Sequence, residues 1–422
     1  MDAASREEGA KKERKLHLVY CSSSKAIRFS MSLNSEEGVI SQTSSSSSTC
    51  LYQCIATLRG HSSYVSGLAV DGEGNSLYVA SSDGHIRLWP LDMAMGQNEV
   101  SSSTVAVTDS SVKCLVATGN GVVSSHQDST IRVWRHAGRL EGRRHLALDA
   151  VLPTTVDCLC AFLLPGSYVE VRRHKKSTWV HHVDAVTALA LSPDGAHMYS
   201  VSWDRSLKVW RLPSLRCAES VAAAHDDAIN AVVAAPDGNV YTGSADKTVK
   251  AWRRHPGQKN LSLVSTMERH RSAVNALALG VGGRVLYSGG CDRSVVVWEA
   301  TAGESGHMVA TGTLRGHAKA VLCLAAAGDM VCSGSADRTV RVWRRGAATA
   351  AHGYPYSCLA VLVGHGGAVK SLALLHGGAA CDRCCSCDME SSCRCCGRAA
   401  LVCSGSLDGD VKLWKVTIST CE

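Results

Sequence analysis

The sequence predicts an all-β fold built from seven repeated units, and three observations lead to this prediction. Seven of the nine Trp residues follow an Asp at a constant separation of six residues. The residues between each Asp and its Trp alternate in polarity, as in a short half-buried strand. Six of the seven repeats also carry an upstream His four residues before a Val or Ile. The Asp–Trp pairs are Asp83/Trp89, Asp128/Trp134, Asp204/Trp210, Asp246/Trp252, Asp292/Trp298, Asp337/Trp343 and Asp408/Trp414.

Small residues upstream of each Asp indicate strands that pack closely near an axis. The fourth repeat shows this in the run Tyr241 to Ala245, where Thr, Gly and Ser precede the turn. The second repeat departs from the pattern, because Thr108 stands where the other repeats have His.

These features together resemble the WD40 family, in which Trp ends a strand, Asp lies in the preceding turn and Gly-His opens the repeat. Gly-His marks the start of a repeat at 60–61, 316–317 and 364–365, and the resemblance covers about residues 50–416. The resemblance implies a seven-bladed β-propeller with four strands in each blade. Residues 1–49 are expected to form a disordered Ser-rich tail, and residues 417–422 a short C-terminal tail. No strand Trp is followed by the family's usual Asp; the followers are Pro90, Arg135, Arg211, Arg253, Glu299, Arg344 and Lys415.

Closure of the ring requires a strand from the front of the chain. Only eight residues follow Trp414, so the last blade lacks an outer strand of its own. The segment 51–58 precedes the first repeat His and has no blade before it. We expect it to pair with residues 411–414, since an unpaired edge would leave the ring open.

The resemblance also implies a hydrogen-bonded tetrad of His, Ser or Thr, Asp and Trp within each blade. A buried polar network of this kind is favourable when every member is satisfied. The first repeat has Val79 at the Ser position. Five sets are complete, and these structural tetrads are His182, Ser200, Asp204 and Trp210; His225, Thr242, Asp246 and Trp252; His270, Ser288, Asp292 and Trp298; His317, Ser333, Asp337 and Trp343; and His365, Ser404, Asp408 and Trp414.

Ser, His and Asp together also suggest a hydrolase, but a catalytic triad occurs once, whereas this trio recurs at a regular spacing. The sequence contains no Gly-x-Ser-x-Gly elbow, P-loop, His-Glu-x-x-His or Gly-x-Gly-x-x-Gly motif. We therefore expect no catalytic residues and no small-molecule substrate.

By resemblance, one face of the disc presents three residues per blade, two flanking the Val or Ile and one preceding the turn Asp. Trp203 and Tyr64 are of types enriched at interface hot spots. Only Lys113 and Lys370 are basic, which favours a protein or peptide partner over nucleic acid. An alternative is that Trp203 packs against a neighbouring blade. The expected partner-binding residues are Tyr64, Ser66, Lys113, Gln127, Thr187, Trp203, Asn230, Asn275, Leu322, Lys370 and Leu407.

Two Trp–Trp intervals are about 30 residues longer than the rest and locate two insertions. The first, about 135–176, is expected between the third strand of blade two and an outer strand near 177–180. It ends in a basic cluster at 172–176, which is an acidic-partner patch, a nuclear-import signal or a solvated turn. Both insertions are expected on the face opposite the His loops, where they would form a second-choice shared partner surface.

The second insertion, about 376–400, is rich in Cys. Thiolates at this spacing can bind zinc, and the candidate ligands are Cys381, Cys384, Cys393 and Cys396, with His376 as a substitute. The alternative is a flexible or redox-sensitive loop.

Composition restricts the class of protein. The chain has 20 Cys but no signal-like apolar segment at its N-terminus, which favours reduced thiols in the cytoplasm or nucleus. No apolar run reaches the roughly 18 residues that a membrane span needs. The net charge of +7 permits contact with nucleic acid without arguing for it.

A narrower resemblance is to plant WD40 proteins of the JINGUBANG type. It is based on PGSYVEVRRHKK at 165–176, AHDDAIN at 224–230 and GSADKTVK at 243–250. That resemblance implies a non-enzymatic regulator linked to pollen germination, with transcriptional regulators among the candidate partners.

Two other functions stay open. A ubiquitin-ligase substrate receptor would commonly carry Trp-Asp-x-Arg at a blade end, yet Trp298 is followed by Glu299. A nucleic-acid-associated or metal-sensing regulator would act through the two insertions.

Overall fold

The computed structural model describes residues 40–41, 48–91, 103–140, 143–155, 157, 159, 168–172, 175–255, 257–258, 260–301, 307–347, 354–376 and 398–420. They form the all-β, seven-bladed propeller that the sequence predicts. Strands β1 (Ile40–Ser41) and β2 (Ser48–Leu58) precede the first blade.

Every blade is an antiparallel sheet, and in blades one to six the strands follow one another in space as they do along the chain. Blade one contains β3 (Val65–Val70), β4 (Ser76–Ser81), β5 (His85–Pro90) and β6 (Ser103–Val107). Blade two contains β7 (Val112–Thr118), β8 (Gly121–His126), β9 (Ile131–Leu140) and β10 (Arg143–Leu152). A separate hairpin of β11 (Tyr168–Arg172) and β12 (Lys175–Thr178) follows. Blade three contains β13 (Val186–Leu191), β14 (His197–Ser202), β15 (Leu207–Arg211) and β16 (Arg216–Val221). Blade four contains β17 (Ile229–Ala234), β18 (Val240–Ser244), β19 (Thr248–Arg253) and β20 (Ser262–Glu268).

Blade five contains β21 (Val274–Leu279), β22 (Val285–Gly290), β23 (Ser294–Ala300) and β24 (Met308–Arg315). Blade six contains β25 (Val321–Ala327), β26 (Met330–Ser335), β27 (Thr339–Arg345) and β28 (Tyr356–Val363). A short 3₁₀ turn at Val281–Gly283 lies between β21 and β22. The last blade contains β29 (Val369–His376), β30 (Arg398–Ser406), β31 (Val411–Thr420) and β2.

The first strand of each blade is its inner strand, and the seven inner strands form a closed ring. Each packs beside the inner strand of the next blade, and β29 packs beside β3. Glycines on the second strands permit this approach. A Cβ on Gly243 would lie 2.8 Å from Val274 of the next blade, and one on Gly405 would lie 2.5 Å from Val65. A larger residue would push neighbouring blades apart at the axis, where the packing is tightest.

The closing strand comes from the front of the chain, as the sequence predicts. Strand β2 pairs antiparallel with β31, with Cys54 opposite Trp414 and Leu58 opposite Val411. Lys412 Nζ also donates a hydrogen bond to Thr57 Oγ1 at 3.0 Å. The last blade therefore joins both ends of the described chain.

The expected tail boundaries need correction. Strand β2 begins at Ser48, β1 pairs with β2, and β31 continues to Thr420. Regular structure thus extends into both of the segments expected to be tails. Residues 1–39, 42–47 and 421–422 lie outside the described residues.

The position of the first insertion also needs correction. The outer strand of blade two is β10, which forms a hairpin with β9 and pairs Leu152 with Ile131, so it does not lie near residue 177. Residues 175–178 instead pair with β11 in the separate hairpin. The insertion therefore follows Leu152 and connects blades two and three. The prediction failed because outer strands carry no residue as distinctive as the Trp of the third strand.

This correction separates the two insertions. In an antiparallel blade the successive connections alternate between the two faces of the disc. The link from β10 to β13 thus leaves at the face of the His loops, whereas the link from β29 to β30 leaves at the opposite face. The expected shared surface on one face is therefore wrong.

Candidate functional site

The three residues per blade that the sequence assigns to one face do meet there. In every blade the residue before the turn Asp donates its backbone N–H to the carbonyl of the residue before the inner-strand Val or Ile. The seven bonds are Ser82–Tyr64, Gln127–Ser111, Trp203–Ala185, Ala245–Ala228, Cys291–Ala273, Ala336–Ala320 and Leu407–Ala368, at 2.8 to 3.2 Å. This repeated bond fixes the loop carrying His against the loop carrying Asp and defines one face, which we call the upper face.

Four residues from four successive blades form a continuous group on the upper face, which we call the aromatic–lysine cluster: Tyr64, Lys113, Trp203 and Asn230. The Lys113 ammonium lies 5.9 Å from the ring centroid of Tyr64 and 5.6 Å from that of Trp203. It also donates a hydrogen bond to Tyr64 Oη at 3.3 Å. Trp203 Nε1 donates to Asn230 Oδ1 at 3.3 Å. A cation between two aromatic faces is held by their quadrupoles and stays available for an anionic partner.

The cluster is partly open to solvent. Trp203 remains 42% exposed although it contacts the neighbouring blade through Asn230, so packing and exposure coexist at this residue. Burial would raise the pKa of Tyr64, but hydrogen bonds from Lys113, Ser111 and Ser82 outweigh it and lower that pKa.

Three of the expected partner-binding residues instead join blades to one another. Thr187 Oγ1 donates to the Ile229 carbonyl at 2.6 Å, Asn230 Nδ2 to Val274 at 2.9 Å and Asn275 Nδ2 to Val321 at 2.8 Å. Each bond links the inner strand of one blade to the inner strand of the next. These side chains are therefore largely committed to the ring, and only Asn230 also belongs to the cluster.

The other expected partner-binding residues divide by exposure. Ser66 is buried and donates to the Ala80 carbonyl within its own blade. Leu322 is half-buried, and Gln127 and Lys370 are exposed. Leu407 is 49% exposed, so it adds apolar surface to the upper face on blade seven.

All five tetrads named from the sequence have the same geometry, which blade four illustrates. His225 Nδ1 lies 2.7 Å from Asp246 Oδ2, and Thr242 Oγ1 lies 2.7 Å from His225 Nε2. Trp252 Nε1 donates to the same Thr242 hydroxyl at 2.8 Å. The tetrad runs from the upper face inward and orients the two loops of its blade.

The other four tetrads use a serine hydroxyl in place of the threonine hydroxyl. The Oγ atoms of Ser200, Ser288, Ser333 and Ser404 each lie 2.8 Å from the His Nε2 of their blade. The indole Nε1 atoms of Trp210, Trp298, Trp343 and Trp414 donate to those hydroxyls at 2.8 to 2.9 Å. The His Nδ1 and Asp Oδ2 atoms of the same blades lie 2.8 to 3.1 Å apart.

The hydroxyl and indole groups of the tetrads do not reach the binding surface. The side chains of Ser200, Ser288, Ser333 and Ser404 are buried within their blades, as are those of Trp210, Trp298, Trp343 and Trp414. None of these eight residues can contact a partner on the intact disc. Their hydrogen bonds act within one blade, so the tetrads are structural and the candidate binding residues lie elsewhere on the upper face.

The charges of the tetrads follow from burial and pairing. Burial lowers the pKa of His182, His225, His317 and His365, against the opposing effect of the paired Asp. Hydrogen bonds from Thr339, His317 and the Ala318 N–H outweigh burial and lower the pKa of Asp337 to about 2. A neutral His beside an ionised Asp is a structural pair that repeats around the ring.

Blade one has the residues of a tetrad except the hydroxyl. His61 Nδ1 lies 3.4 Å from Asp83 Oδ2. With Val79 in place of Ser, His61 Nε2 and Trp89 Nε1 are buried and have no hydrogen-bond partner among the described residues. Burial lowers the pKa of His61 to about 4.

Blade two supplies its His from a different element, which the sequence analysis missed. His126, the last residue of β8, places Nε2 2.8 Å from Ser124 Oγ, and Trp134 Nε1 donates to the same hydroxyl at 2.7 Å. Its Nδ1 faces the Ser110 carbonyl at 3.4 Å instead of a carboxylate. The available signal was a His two residues before Asp128, where five of the other repeats have Ser and one has Gly.

Burial, with a contribution from Arg132, lowers the pKa of His126 to about 4. Asp128 is not part of this network and binds Thr130 and Arg132.

The candidate zinc ligands Cys381, Cys384, Cys393 and Cys396 lie outside the described residues. Within the described ranges, no group of three or more His, Cys, Asp or Glu side chains is placed to hold a metal ion. Burial raises the pKa of the Cys323 and Cys403 thiols to about 12. Across the same ranges, no helix has the length and apolar character of a membrane span.

Comparison with known proteins gives matches in five segments. The model of the WD40 family, described as WD domain, G-beta repeat, matches residues 52–90, 173–211, 218–253, 261–299 and 308–344. The unmatched part includes blade two, with its relocated His, and the part of blade seven from β29 to β31, where the sequence carries the Cys-rich insertion.

Several curated proteins are similar over part of their length. The 66 kDa stress protein of Physarum polycephalum is 26% identical over 300 residues, which cover 57% of this chain and 47% of that protein. Striatin-3 of Homo sapiens is 28% identical over 185 residues, covering 40% and 23%. Nuclear distribution protein nudF of Aspergillus niger is 26% identical over 286 residues, covering 62% and 55%. The matched part thus spans about half or less of the length of these relatives.

Proposed function

We propose that this chain, five segments of which match the WD40 family model, is a non-catalytic scaffold that binds a protein partner through the aromatic–lysine cluster. The observation that carries the proposal is the placement of the Lys113 ammonium between the rings of Tyr64 and Trp203. Three blades contribute these side chains, so the ring positions them before any partner arrives. Such preorganisation lowers the entropy lost on binding.

The chemistry of the cluster suits a peptide segment. Trp203 and Leu407 offer exposed apolar area on the same face, and Lys113 offers one charge held in place. Aromatic residues with two rotatable side-chain bonds give large contact area at a small entropic cost. A nucleic-acid backbone would instead need a continuous run of cations across the cluster, and Lys113 is its single cation.

The test is capture of partners by the purified full chain, followed by cross-linking and mass spectrometry. The Tyr64→Ala/Trp203→Ala variant should weaken partner binding by about 2 kcal/mol or more, which is roughly a thirtyfold change in Kd. Tyr354→Ala is the matched control, because Tyr354 is also an aromatic residue with 42% exposure but precedes the outer strand of blade six on the opposite face. Equal partner recovery by both variants would contradict the proposal.

Narrower roles stay proposals. They are a plant regulator of the JINGUBANG type acting on transcriptional regulators, a ubiquitin-ligase substrate receptor, and a regulator in the cytoplasm or nucleus. The relatives above come from Physarum, Aspergillus and Homo, so they add no support for the plant role. Zinc at the Cys-rich insertion is tested by elemental analysis of the purified chain, where substoichiometric zinc would exclude it.

A further inference from the structure

Exposed cations concentrate on blades five and six of the upper face. They lie in the loops that carry the tetrad His and Asp residues and at the adjacent strand ends. All six side chains are exposed, and we call them the basic strip: Arg269, Arg271, Arg293, Arg315, Lys319 and Arg338.

Hydrogen bonds show that the strip is continuous. The backbone N–H of Arg271 donates to Asp292 Oδ2 at 3.0 Å, which places Arg271 beside the turn that carries Arg293. Ser294 pairs with Arg315 across the last two strands of blade five, so Arg315 is the next cation along.

The strip continues onto blade six. The Ala318 N–H donates to Asp337 Oδ2 at 2.9 Å and brings Lys319 to the turn that carries Arg338. One surface therefore crosses the boundary between the two blades.

The carboxylates nearby do not neutralise this surface. Asp292 and Asp337 are half-buried and accept hydrogen bonds from His270 and His317, respectively. Glu268 is the one exposed acid in these loops. None of the six cations forms an ion pair with any residue that the structure describes.

The equivalent loops of blades three and four have the opposite character. They carry the turn cations Arg205 and Lys247, but also the exposed acids Asp184, Asp226 and Asp227. The upper face is thus polarised, with a positive half on blades five and six and a negative half beside it. A polarised face orients a charged partner in one direction as well as attracting it.

We propose that the basic strip docks an acidic segment of a protein partner, which the adjoining aromatic–lysine cluster then holds. This inference rests on the proposed function and names the chemistry of the partner. An acidic segment gains from six unpaired cations, and its apolar side chains find Leu407 and Trp203 on the same face. A nucleic acid fits less well, because the strip contains no aromatic residue for bases to stack on.

The backbone supplies variants that remove charge without harming the fold. Arg293 and Arg338 have φ of 68° and 72°, a region that L side chains rarely adopt. Gly84 and Gly409 occupy the same turn position in blades one and seven, with φ of 81° and 84°. Replacing Arg293 and Arg338 by Gly therefore removes two cations while relieving backbone strain.

The experiment uses the full chain and a short fluorescein-labelled peptide of Asp, Glu and Leu in fluorescence anisotropy. Arg293→Gly/Arg338→Gly should weaken binding roughly five- to tenfold, as expected for two exposed ion pairs. The matched control is Arg205→Gly/Lys247→Gly, which changes the same turn position, also at positive φ, beside the acids of blades three and four. It should leave the affinity unchanged, and added salt should weaken binding to the wild type.

Three outcomes would overturn the inference: equal loss in both double variants, a peptide affinity unaffected by either, or tighter binding of a single-stranded oligonucleotide than of the acidic peptide. Failure here is distinguishable from failure of the proposed function. A captured partner that is lost with Tyr64→Ala/Trp203→Ala but retained with Arg293→Gly/Arg338→Gly would support the cluster and exclude the strip.

Discussion

Blades one and two have the same strand architecture as blades three to seven, but their interior hydrogen-bond networks differ. The five later blades each close a tetrad of His, hydroxyl, Asp and Trp. Blade one lacks the hydroxyl and leaves two buried nitrogen atoms without partners within the described structure, whereas blade two moves its His to the end of β8. The difference shows that the blade fold depends on strand packing and tolerates alternative polar interiors.

The inner ring shows the same contrast. Side chains of Thr187, Asn230 and Asn275 bond across successive blade boundaries, and Cys323 Sγ reaches the Val369 carbonyl at 3.5 Å at the next one. At the position of Thr187, Asn230 and Asn275, one residue after the inner-strand Val or Ile, blade two has Lys113, which turns back to Tyr64. The candidate binding cluster therefore begins where the structural pattern is interrupted, because a side chain released from joining blades can contact a partner.

Acid pH should destabilise the irregular blades. The pKa values of His61 and His126 are lowered from 6.5 to about 4 in the folded chain. Between these values the unfolded chain binds more protons, so stability is lost as the pH falls from about 6.5 toward 4. From pH 7 to pH 5 each His should reduce the free energy of unfolding by about 2 kcal/mol, measured by urea denaturation.

The variants His61→Asn and His126→Asn should each reduce this pH dependence. His255→Asn is the control, since His255 is an exposed histidine outside the tetrads. An identical pH dependence in the wild type and in both buried-site variants would contradict the assignment.

Removing the tetrad hydroxyl from blade four, so that it resembles blade one, should have the next largest effect on the free energy of unfolding. Thr242→Val keeps the shape but removes the hydroxyl that binds His225 Nε2 and Trp252 Nε1. Stranding both nitrogen atoms should lower the free energy of unfolding by about 2–3 kcal/mol in urea denaturation. Thr266→Val on the exposed side of β20 is the matched control and should change it little. Similar losses in the two variants would mean that the tetrad contributes nothing specific.

The reverse change in blade one should have the smallest effect and the opposite sign. Val79→Thr places a hydroxyl between His61 Nε2 and Trp89 Nε1, the two atoms now without partners within the described structure. We expect the free energy of unfolding to rise by about 1 kcal/mol. Val331→Thr, at a fully buried strand position of blade six whose tetrad is already complete, should instead be destabilising. Destabilisation of comparable size at both sites would show that a hydroxyl at position 79 does not stabilise blade one.

Much of the fold could be predicted because its determinants repeat. The Asp–Trp spacing located the third strands, and the pairing of residues 51–58 with the last blade was expected and is confirmed by β2 and β31. Strand β10 could not be located in this way, since outer strands face solvent on one side and accept many residues. His126 was missed because its role depends on the direction of its side chain, which a motif based on loop position does not encode.

The sequence by itself determined the number of blades and the partners within each regular tetrad, because these follow from a pattern repeated at fixed spacing. Only the tertiary structure decided that Tyr64, Lys113 and Trp203 meet, and that the cations of blades five and six form one surface. Those groupings join residues from different repeats around a ring. The distances between these residues depend on how the blades are oriented relative to one another, which the sequence of a single repeat does not specify.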